Sequence, residues 1–350
     1  MLEPRWPTAV RCCMRPKSSI ADALRMRRAA GEGAAPGEHA APGEGAAPGE
    51  RSAPGGDAAP GELAAPGISR LERLLLLEHV LGRPREWLIA HAEDTLEASH
   101  AERFAGLVER RRRGAPIAYL VGHREFFGLR LQVDERVLIP RPETELLVEA
   151  AISLAPAAGA VLDLGTGSGA IAIAVAHARP DLEVFGSDIS TGALALAEAN
   201  ARRLLAPRPH PVRWVQADWW DGLPAVQWDL VVANPPYLAG DDPHLAWGDV
   251  RFEPRTALSD GRDGLSAIRA VISGFARWAD RGLVGAPGLL FVEHGATQAA
   301  EVRQMGSALG LEVRDTLHDL SGLPRVGCLA ATPLRPQREA ENPSGAPACD

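Results

Sequence analysis

Residues 161–176 read VLDLGTGSGAIAIAVA, in which three glycines join a short apolar segment to an apolar helical pattern. The segment 160–164 has the composition of a buried strand, and the glycines lie between that strand and the start of the helix. Bare backbone at Gly165, Gly167 and Gly169 allows a ligand to approach closely, as it does in dinucleotide-binding folds. A tight strand-to-helix turn uses glycines in the same way without any ligand. The motif therefore predicts a strand–turn–helix unit and leaves open what binds there.

Apolar strands alternate with helical patterns in this part of the chain. The predicted strands are 160–164, 182–188, 212–218, 228–234 and 288–294. The predicted helices are 169–178, 191–205, 264–280 and 298–309. Such alternation is typical of an α/β fold with a mainly parallel sheet covered on both faces. The segments 311–320 and 325–331 follow without a convincing helix between them, so we expect a terminal hairpin that adds an antiparallel strand.

Composition and pattern divide the chain into segments of different character. They are 1–30 with a first helix at 20–30, a repeat at 31–67, a helical domain at 68–122, a connecting β-hairpin at 123–140, the α/β domain at 141–332 and a tail at 333–350. The repeat is a degenerate Ala-Ala-Pro-Gly-Glu in which Leu63 is the one large aliphatic residue, so we predict a disordered linker. The polar, proline-rich tail is also predicted to be disordered.

The helical domain is predicted from ISRLERLLLLEHVLG, residues 68–82, and from a second helical pattern over 99–112. Gly82 is a typical residue for the end of the first of these helices. Helical spacing assigns the buried face of that helix to Leu71, Leu74, Leu75, Leu77 and Val80.

Charge and cysteine content limit the possible partners. The formal net charge is −8, which argues against broad nucleic-acid binding because that function usually needs a basic face. The four cysteines lack metal-ligand spacing, so we expect neither a metal site nor a disulfide scaffold. No apolar run reaches the length of about 18 residues that would span a membrane. We expect a monomeric protein of the reducing cytoplasm that contacts no membrane.

Asp188 ends the predicted strand 182–188, about 20 residues after the glycines. A carboxylate at this place can accept hydrogen bonds from both hydroxyls of a ribose. An acidic residue here also suits the N-cap of a helix over 189–205. Taken with the glycines, Asp188 indicates a cofactor that contains adenosine, without saying which one.

The strand 228–234 ends in Asn234, Pro235, Pro236 and Tyr237. Two prolines remove two ladder hydrogen bonds and fix φ, so the sheet must stop here. A ligand in an open parallel sheet lies beyond the carboxyl ends of the strands, which brings this motif to the same site as the glycines. The alternative is a proline-rich turn that only closes the strand.

Asn-Pro-Pro-Tyr resembles the signature of methyltransferases that use S-adenosylmethionine to methylate a nitrogen conjugated to a π-system. Such a nitrogen is planar and a poor nucleophile, because its lone pair is delocalised. The side-chain carbonyl of Asn234 and the backbone carbonyl of Pro235 can accept both N–H bonds of a substrate –NH₂. They would orient the nitrogen towards the methyl group and favour the positive charge that develops there. Tyr237 can pack against the flat substrate group.

A longer resemblance, from about Leu74 to Ala330, is to the bacterial release-factor glutamine methyltransferases of the HemK/PrmC family. The stretches that carry it include PIAYLVGHREFFGL, VLIPRPETELLVE, LDLGTGSGAIAIA, GSDISTGALALAEAN, VVANPPYL, FEPRTALSDGRDGL and LSGLPRVG. The resemblance implies a class I S-adenosylmethionine-dependent methyltransferase fold, Rossmann-like, with a mainly parallel seven-stranded sheet, an antiparallel terminal strand and a small N-terminal helical domain. It also implies methylation of the glutamine amide in the Gly-Gly-Gln motif of class 1 peptide chain release factors, which the helical domain would contact.

The resemblance assigns roles to individual residues. It implies cofactor binding by Gly165, Thr166, Gly167, Ser168, Gly169, Asp188, Trp219 and Asn234. It implies substrate binding by Asn234, Pro235, Pro236 and Tyr237, and catalysis by Asn234, Pro235 and Tyr237. Trp219 would pack on the adenine, although a tryptophan at this position suits the core equally well.

Two further segments are expected near the site. Arg141 and Glu143, which precede a helix, would shape the mouth of the cofactor site or act only structurally. The loop with Glu253 and Arg255 would order around the substrate, with no catalytic role. The chain departs from the family where the repeat 31–67 stands in place of a short connection, and this leaves open how the helix 20–30 docks.

Three other functions are compatible with parts of the pattern. A glutamine methyltransferase of a ribosomal protein has the same core, and IPRPETE favours the release-factor branch over it. An adenine-N6 methyltransferase of DNA or RNA uses the same Asn-Pro-Pro-Tyr chemistry but needs a basic recognition region, so we expect no nucleic-acid substrate. A binding module without activity would have no need for Gly165–Gly169, Asp188 and Asn234 together.

Overall fold

The computed structural model describes residues 18–25, 67–205, 207 and 211–331. The predictions for most of the repeat 31–67, for residues 26–30 of the first helix and for the tail 333–350 lie outside the described residues. The chain divides into two compact units, Met1–Val121 and Gly122–Asp350. Within the described residues, none of the helices combines the length and the apolar character needed to cross a membrane.

The described part of the first unit is helical. Its helices are α1 (Ile20–Arg25), α2 (Arg70–Leu81), α3 (Arg85–Ala90), α4 (Ala98–Arg112) and α5 (Ile117–Val121). At the start of α2, the Ser69 hydroxyl accepts from the backbone N–H of Glu72, whose side chain accepts from the backbone N–H of Ser69. This reciprocal pair satisfies two of the donors that a helix start leaves free. The two predicted helices are confirmed as α2 and α4.

The predicted buried face of α2 is partly wrong. Leu74, Leu77 and Val80 are buried as expected, but Leu71 and Leu75 are exposed and Leu76 is completely buried. Four consecutive leucines cover every side of a helix, so spacing alone cannot decide which of them faces the core. The contacts with α4 and α5 decide it instead.

The second unit begins with the short antiparallel hairpin that was predicted, followed by alternating strands and helices. The hairpin strands are β1 (His123–Phe126) and β2 (Leu129–Gln132). The other strands are β3 (Ala160–Leu164), β4 (Glu183–Asp188), β5 (Arg213–Gln216), β6 (Trp228–Ala233), β7 (Val284–Glu293), β8 (Glu312–Val313), β9 (Leu317–His318) and β10 (Pro324–Ala330). The helices are α6 (Glu145–Leu154), α7 (Ala170–Ala178), α8 (Thr191–Leu204), α9 (Arg255–Leu258), α10 (Ser266–Asp280) and α11 (Ala299–Ala308).

The main sheet has the strand order β5-β4-β3-β6-β7-β10-β8, with β9 paired to β10. The first five strands are parallel to one another, and β10 is antiparallel to its neighbours β7, β8 and β9. The predicted parallel sheet and antiparallel terminal strand are therefore confirmed. Within the described residues the sheet has eight strands instead of the predicted seven, because the segment 311–320 contributes two strands of two residues each.

Both faces of the sheet are covered, as the alternation of strands and helices predicts. Val161 and Leu230 belong to a buried cluster that includes residues of α6 and α7. Their sequence neighbours Leu162 and Val231 belong to a second cluster, which includes residues of α10. Successive strand residues point to opposite faces, so every central strand contributes to both clusters. Because β4, β3 and β6 are adjacent and parallel, their carboxyl ends lie side by side.

Candidate active site

A cavity of about 570 Å³ lies at the carboxyl ends of β3, β4 and β6. This volume falls within the range of roughly 300–1,000 Å³ that is usual for small-molecule sites. The predicted site residues that line the cavity are Gly165, Thr166, Gly167, Ser168, Asp188, Trp219, Asn234 and Pro236. Gly169, Pro235 and Tyr237 are not among the lining residues. One space thus brings together most of the residues predicted to bind the cofactor and two of those predicted to bind the substrate.

The glycine loop forms one wall of the cavity. The backbone N–H groups of Gly165 and Thr166 both donate to the carbonyl of Ser187, at 2.9 and 2.8 Å. This ties the loop after β3 to the end of β4. Gly167 has a φ of 56°, and a Cβ added to it would meet nothing within 4 Å. The bare backbone therefore opens onto free space, which is the arrangement expected of a loop that receives a ligand.

Gly169 has a different position from the other two glycines. A Cβ at this residue would lie 2.8 Å from Cδ1 of Ile173 and 3.0 Å from Cβ of Ala197. Its φ is 81°, which also favours glycine. The residue therefore allows α7 to approach α8 closely. It does not line the cavity, and the cofactor contact implied for it stays a prediction.

Asp188 lines the cavity, and each of its carboxylate oxygens accepts one backbone hydrogen bond. Oδ2 accepts from the backbone N–H of Gly167 at 3.0 Å, and Oδ1 accepts from the backbone N–H of Ser190 at 2.8 Å. Burial raises the pKa of this carboxyl, while the N–H groups of Ser190 and Gly167 act in the opposite direction. Each oxygen can accept a further hydrogen bond, so the carboxylate is ready for two hydroxyl donors. The helix cap next to it is supplied by Ser190, whose side chain accepts from Ala193 N–H.

Trp219 lines the cavity from a turn closed by two backbone hydrogen bonds between Asp218 and Asp221. Its φ is 50°, a conformation that side-chain-bearing residues rarely adopt. The next residue, Trp220, is buried and donates from Nε1 to the carbonyl of Val271 at 3.1 Å. Trp219 thus lines the cavity and also packs against the buried cluster that includes residues of α10, so its contact with adenine stays a prediction, whereas Trp220 is buried within that cluster.

Asn234 lies at the other wall of the cavity, directly after β6. Its Nδ2 donates to Oγ1 of Thr144 at 3.1 Å. Because the amide nitrogen is engaged in this bond, Oδ1 is the atom that remains to accept a hydrogen bond from a ligand. Thr144 was not predicted as a site residue, although it lies within the IPRPETE stretch.

Tyr237 is packed behind the cavity. Its ring lies against the buried cluster that includes α10, and its hydroxyl donates to Oε1 of Glu293 at 3.3 Å. Burial and the nearby carboxylate raise the pKa of the phenol, so the hydroxyl keeps its proton. Gln298 Nε2 donates to the Tyr237 carbonyl at 3.0 Å, which further fixes the end of the motif. The ring is not among the lining residues of the cavity, and its predicted contact with the substrate stays a prediction.

The two segments expected near the mouth of the site are joined by an ion pair. Arg141 lines the cavity, and its Nη2 lies 2.5 Å from Oε1 of buried Glu253. Glu253 Oε2 also accepts from the backbone N–H of Ile139. Arg255 donates to the carbonyl of Gly240 at 2.9 Å, and Glu143 is not among the lining residues. The pair thus connects the segment before α6 to the segment before α9.

Two buried carboxyl groups near the site were not predicted. Asp163 in β3 accepts from Thr166 Oγ1 at 2.6 Å, and burial raises the pKa of this carboxyl to about 7. Burial likewise raises the pKa of Glu293, at the end of β7, to about 7. The signal that could have revealed both residues is an acidic residue inside an otherwise apolar strand, since a lone buried carboxyl is costly unless it has a partner.

The chain has the fold of a class I methyltransferase, with a mostly parallel sheet, the antiparallel strand β10 and a matching methyltransferase profile. Profiles of two known domains match the chain, one described as "Methyltransferase small domain" over residues 142–252 and one as "PrmC N-terminal domain" over residues 62–122. A solved methyltransferase from Pyrococcus furiosus aligns with a TM-score of 0.42 and 15% identity, over 59% of this chain and 90% of that chain.

Curated relatives specify the family. The release factor glutamine methyltransferase of Bordetella pertussis is 48% identical over 262 residues, which cover 74% of this chain and 94% of that protein. The corresponding protein of Burkholderia pseudomallei is 45% identical over 264 residues, which cover 74% of this chain and 91% of that protein. The chain therefore belongs to the family of release factor glutamine methyltransferases, and it is an enzyme of this glutamine-methylating class.

Proposed function

We propose that the enzyme transfers a methyl group from S-adenosylmethionine to the side-chain amide nitrogen of the glutamine in the Gly-Gly-Gln motif of class 1 peptide chain release factors. The observation that supports this most directly is that the glycine loop, Asp188 and Asn234 line a single cavity. A wall suited to a nucleoside and a wall suited to an amide lie together, as methyl transfer between their ligands requires. Relatives with 48% and 40% identity carry the name release factor glutamine methyltransferase.

The residues of the cavity fit S-adenosylmethionine. Asp188 offers two carboxylate oxygens to the ribose hydroxyls, and Gly167 leaves free space above its backbone. Trp219 offers a flat indole that can stack on adenine. When bound, the cofactor supplies an electrophilic methyl group on a sulfonium.

Asn234 and Pro235 would hold the substrate nitrogen. Oδ1 of Asn234 and the backbone carbonyl of Pro235 accept the two amide N–H bonds, which fixes the plane of the amide and places its nitrogen for in-line attack. A nitrogen–carbon bond forms as the sulfur–carbon bond breaks, and the nitrogen then releases one proton to solvent. The two carbonyl dipoles stabilise the positive charge that develops on nitrogen, so no general base is needed before the methyl group has moved.

We also propose that the helical segment 68–122 contacts the release factor and that the enzyme acts as a monomer with no nucleic-acid substrate. The helical segment matches the N-terminal domain of the family, and the net charge of −8 disfavours polyanions. Light scattering during size exclusion gives the mass of the enzyme alone and with a release factor, and a mass of two enzyme chains would contradict the monomer.

The proposal is tested with S-adenosylmethionine carrying a labelled methyl group. We expect transfer to a class 1 release factor and none to a release factor whose Gly-Gly-Gln glutamine is replaced. Adenine-containing duplex and single-stranded DNA form a third arm of the same assay. Label in the DNA, or equal label in the substituted release factor, would refute the proposed substrate.

Asp188 provides a separate test of the cofactor site. Asp188→Asn keeps the shape of the side chain but removes one acceptor oxygen and the charge, so we expect the Kd for S-adenosylmethionine to rise by about 10-fold to 100-fold. Asp280→Asn, at the exposed end of α10, makes the same chemical change away from the cavity and should leave the Kd unaltered. Titration calorimetry measures both. A Kd for Asp188→Asn within twofold of the wild type would exclude the ribose contact.

A further inference from the structure

Thr144 and Glu293 lie beside the proposed amide clamp. Thr144 is 4% exposed, lines the cavity and accepts from Nδ2 of Asn234 at 3.1 Å. Glu293 is 1% exposed and accepts from the Tyr237 hydroxyl at 3.3 Å. β7, which ends in Glu293, is the parallel neighbour of β6, after which Asn234 follows. The two polar side chains of the Asn-Pro-Pro-Tyr motif therefore each contact a residue that is distant in sequence: Asn234 contacts Thr144, and Tyr237 contacts Glu293.

Among the groups that act on the Glu293 carboxyl, the Thr144 hydroxyl lowers its pKa, against the larger effect of burial. Oε2 of Glu293 is fully buried and has no hydrogen-bond partner among the described residues. Leaving such an oxygen without a donor is costly, and the Thr144 hydroxyl is the neighbouring group that can supply a proton to it.

The direction of the Thr144 proton determines which way round the Asn234 amide lies. A threonine hydroxyl has one proton to donate and two lone pairs to accept with, whereas an ionised carboxylate only accepts. When the proton points to Glu293, Thr144 presents only lone pairs to Asn234. The amide must then turn Nδ2 to Thr144, which is the observed contact, and this leaves Oδ1 to accept from a ligand. If the Thr144 proton pointed to Asn234 instead, Oδ1 would turn to Thr144 to accept it. Nδ2 would then face the substrate, and two N–H donors would oppose each other.

We propose that Thr144 and Glu293 are positioning residues that hold the Asn234 amide with its carbonyl oxygen towards the substrate nitrogen. The proposal rests on the proposed role of Asn234 as the acceptor of the substrate amide. Glu293 also anchors Tyr237, so one buried carboxylate supports both side chains of the motif. The other charged groups that act on Glu293 are Glu143, before α6, and Arg325, in β10. Burial favours the protonated form and raises the pKa of Glu293 to about 7, while Arg325 acts in the opposite direction, so the orientation requires a pH above about 7.

The first test separates the hydroxyl of Thr144 from its shape. Thr144→Val keeps the shape and removes the hydroxyl, and we expect kcat for methyl transfer to fall by about 10-fold to 100-fold through misplacement of the amide, with the Kd for S-adenosylmethionine within twofold. Thr144→Ser keeps the hydroxyl and should recover most of the lost turnover. Thr316→Val, at a half-buried residue away from the cavity, controls for the substitution itself. Equal losses in the valine and serine variants, or no loss in the valine variant, would overturn the proposal.

The second test examines whether Glu293 acts through Thr144. Glu293→Gln can donate an N–H to the Thr144 hydroxyl and so releases the threonine proton towards Asn234. We expect the same loss of kcat as in Thr144→Val. We expect no further loss when the two changes are combined, because each of them abolishes the same preferred orientation of the Asn234 amide. Losses that multiply in the double variant would show that the residues act independently and would contradict the proposal.

The orientation of the Asn234 amide can also be observed by NMR without any methyl transfer, so it can be tested separately from the proposed function. In the wild-type enzyme, we expect nuclear Overhauser contacts between the Asn234 side-chain amide protons and the Thr144 methyl group. They should weaken or vanish in Glu293→Gln. Failure of the wild type to methylate release factors would refute the proposed function while this readout still decides the orientation. Absence of the contacts in the wild type, or their persistence in Glu293→Gln, would refute the inference.

Discussion

Asn234 donates to Thr144 through Nδ2 and lines the cavity, so its Oδ1 carries the proposed contact to the substrate. We expect Asn234→Ala to lower kcat by about 10²-fold to 10³-fold, as does the loss of other preorganised dipoles in active sites. The Kd for S-adenosylmethionine should change far less, because the glycine loop and Asp188 are untouched. Steady-state kinetics and calorimetry measure the two effects. A kcat near that of the wild type would mean that Asn234 does not hold the amide.

Glu293 makes the stability of the enzyme depend on pH in a defined direction. Burial raises the pKa of this carboxyl from 4.5 to about 7, so between these values the folded protein retains a proton that the unfolded chain has released. The contribution of Glu293 to stability therefore falls as pH rises from about 4.5 to 7. Glutamine carries no such proton, so the free energy of unfolding of Glu293→Gln minus that of the wild type should rise with pH. We expect this difference to be about 2 kcal/mol larger at pH 8 than at pH 5.5. Urea unfolding of both proteins at both pH values measures this. If the variant and the wild type differ equally at the two pH values, the pKa of Glu293 is not raised in the folded protein.

Several site residues could be found from the sequence because their type and their place at a strand end coincide. Asp188 and Asn234 follow apolar segments that had to be strands, and the topology of a parallel sheet brings such ends together. Thr144 and Glu293 could not be found in this way, because their importance depends on burial and on contacts over long separations in sequence. Tyr237 shows a related limit, since the motif identifies the residue, whereas the contact of its hydroxyl with buried Glu293 depends on the fold.

Among the elements, strand position was predicted most closely where glycines or prolines mark the end. β3 matches the predicted segment 160–164, and β6 stops at Ala233, just before Asn234. β7 begins earlier than the predicted 288, because Val284 also pairs with Trp228 of β6. The Gly-Ala-Pro-Gly stretch between Val284 and Leu289 is an irregularity in that pairing, and it reads locally as a turn. The short helices α3 and α5 were missed because six and five residues give too little periodicity to recognise.

The close approach of α7 and α8 depends on Gly169. We expect Gly169→Ala to lower the free energy of unfolding by about 1–3 kcal/mol more than Gly282→Ala does, because its Cβ would overlap Ile173 and Ala197. Gly282 has a similar φ of 71°, and an added Cβ there meets nothing within 4 Å, so it controls for backbone strain alone. Urea denaturation compares the two variants. Equal losses would mean that Gly169 serves only the backbone conformation.

For the whole molecule, the repeat 31–67 is predicted to be dispensable. Its composition offers almost no apolar surface to bury, and lengthening a surface loop costs only about 0.6 kcal/mol per doubling. We expect an enzyme that lacks residues 31–67 to keep kcat and the KM for the release factor within about threefold of the full chain. Parallel assays of the two proteins measure this. A large rise in KM with unchanged kcat would instead assign the repeat a role in binding the release factor.

The central claim concerns a single atom, the amide nitrogen of one glutamine. The most direct measurement is tandem mass spectrometry of a class 1 release factor after incubation with the enzyme and S-adenosylmethionine, beside the same factor with its Gly-Gly-Gln glutamine replaced. We predict one added methyl group, located on the side-chain amide of that glutamine, and no methylation of the substituted factor. A methyl group on any other residue, or an unmodified wild-type factor after incubation with folded enzyme that binds the cofactor, would contradict the proposed function.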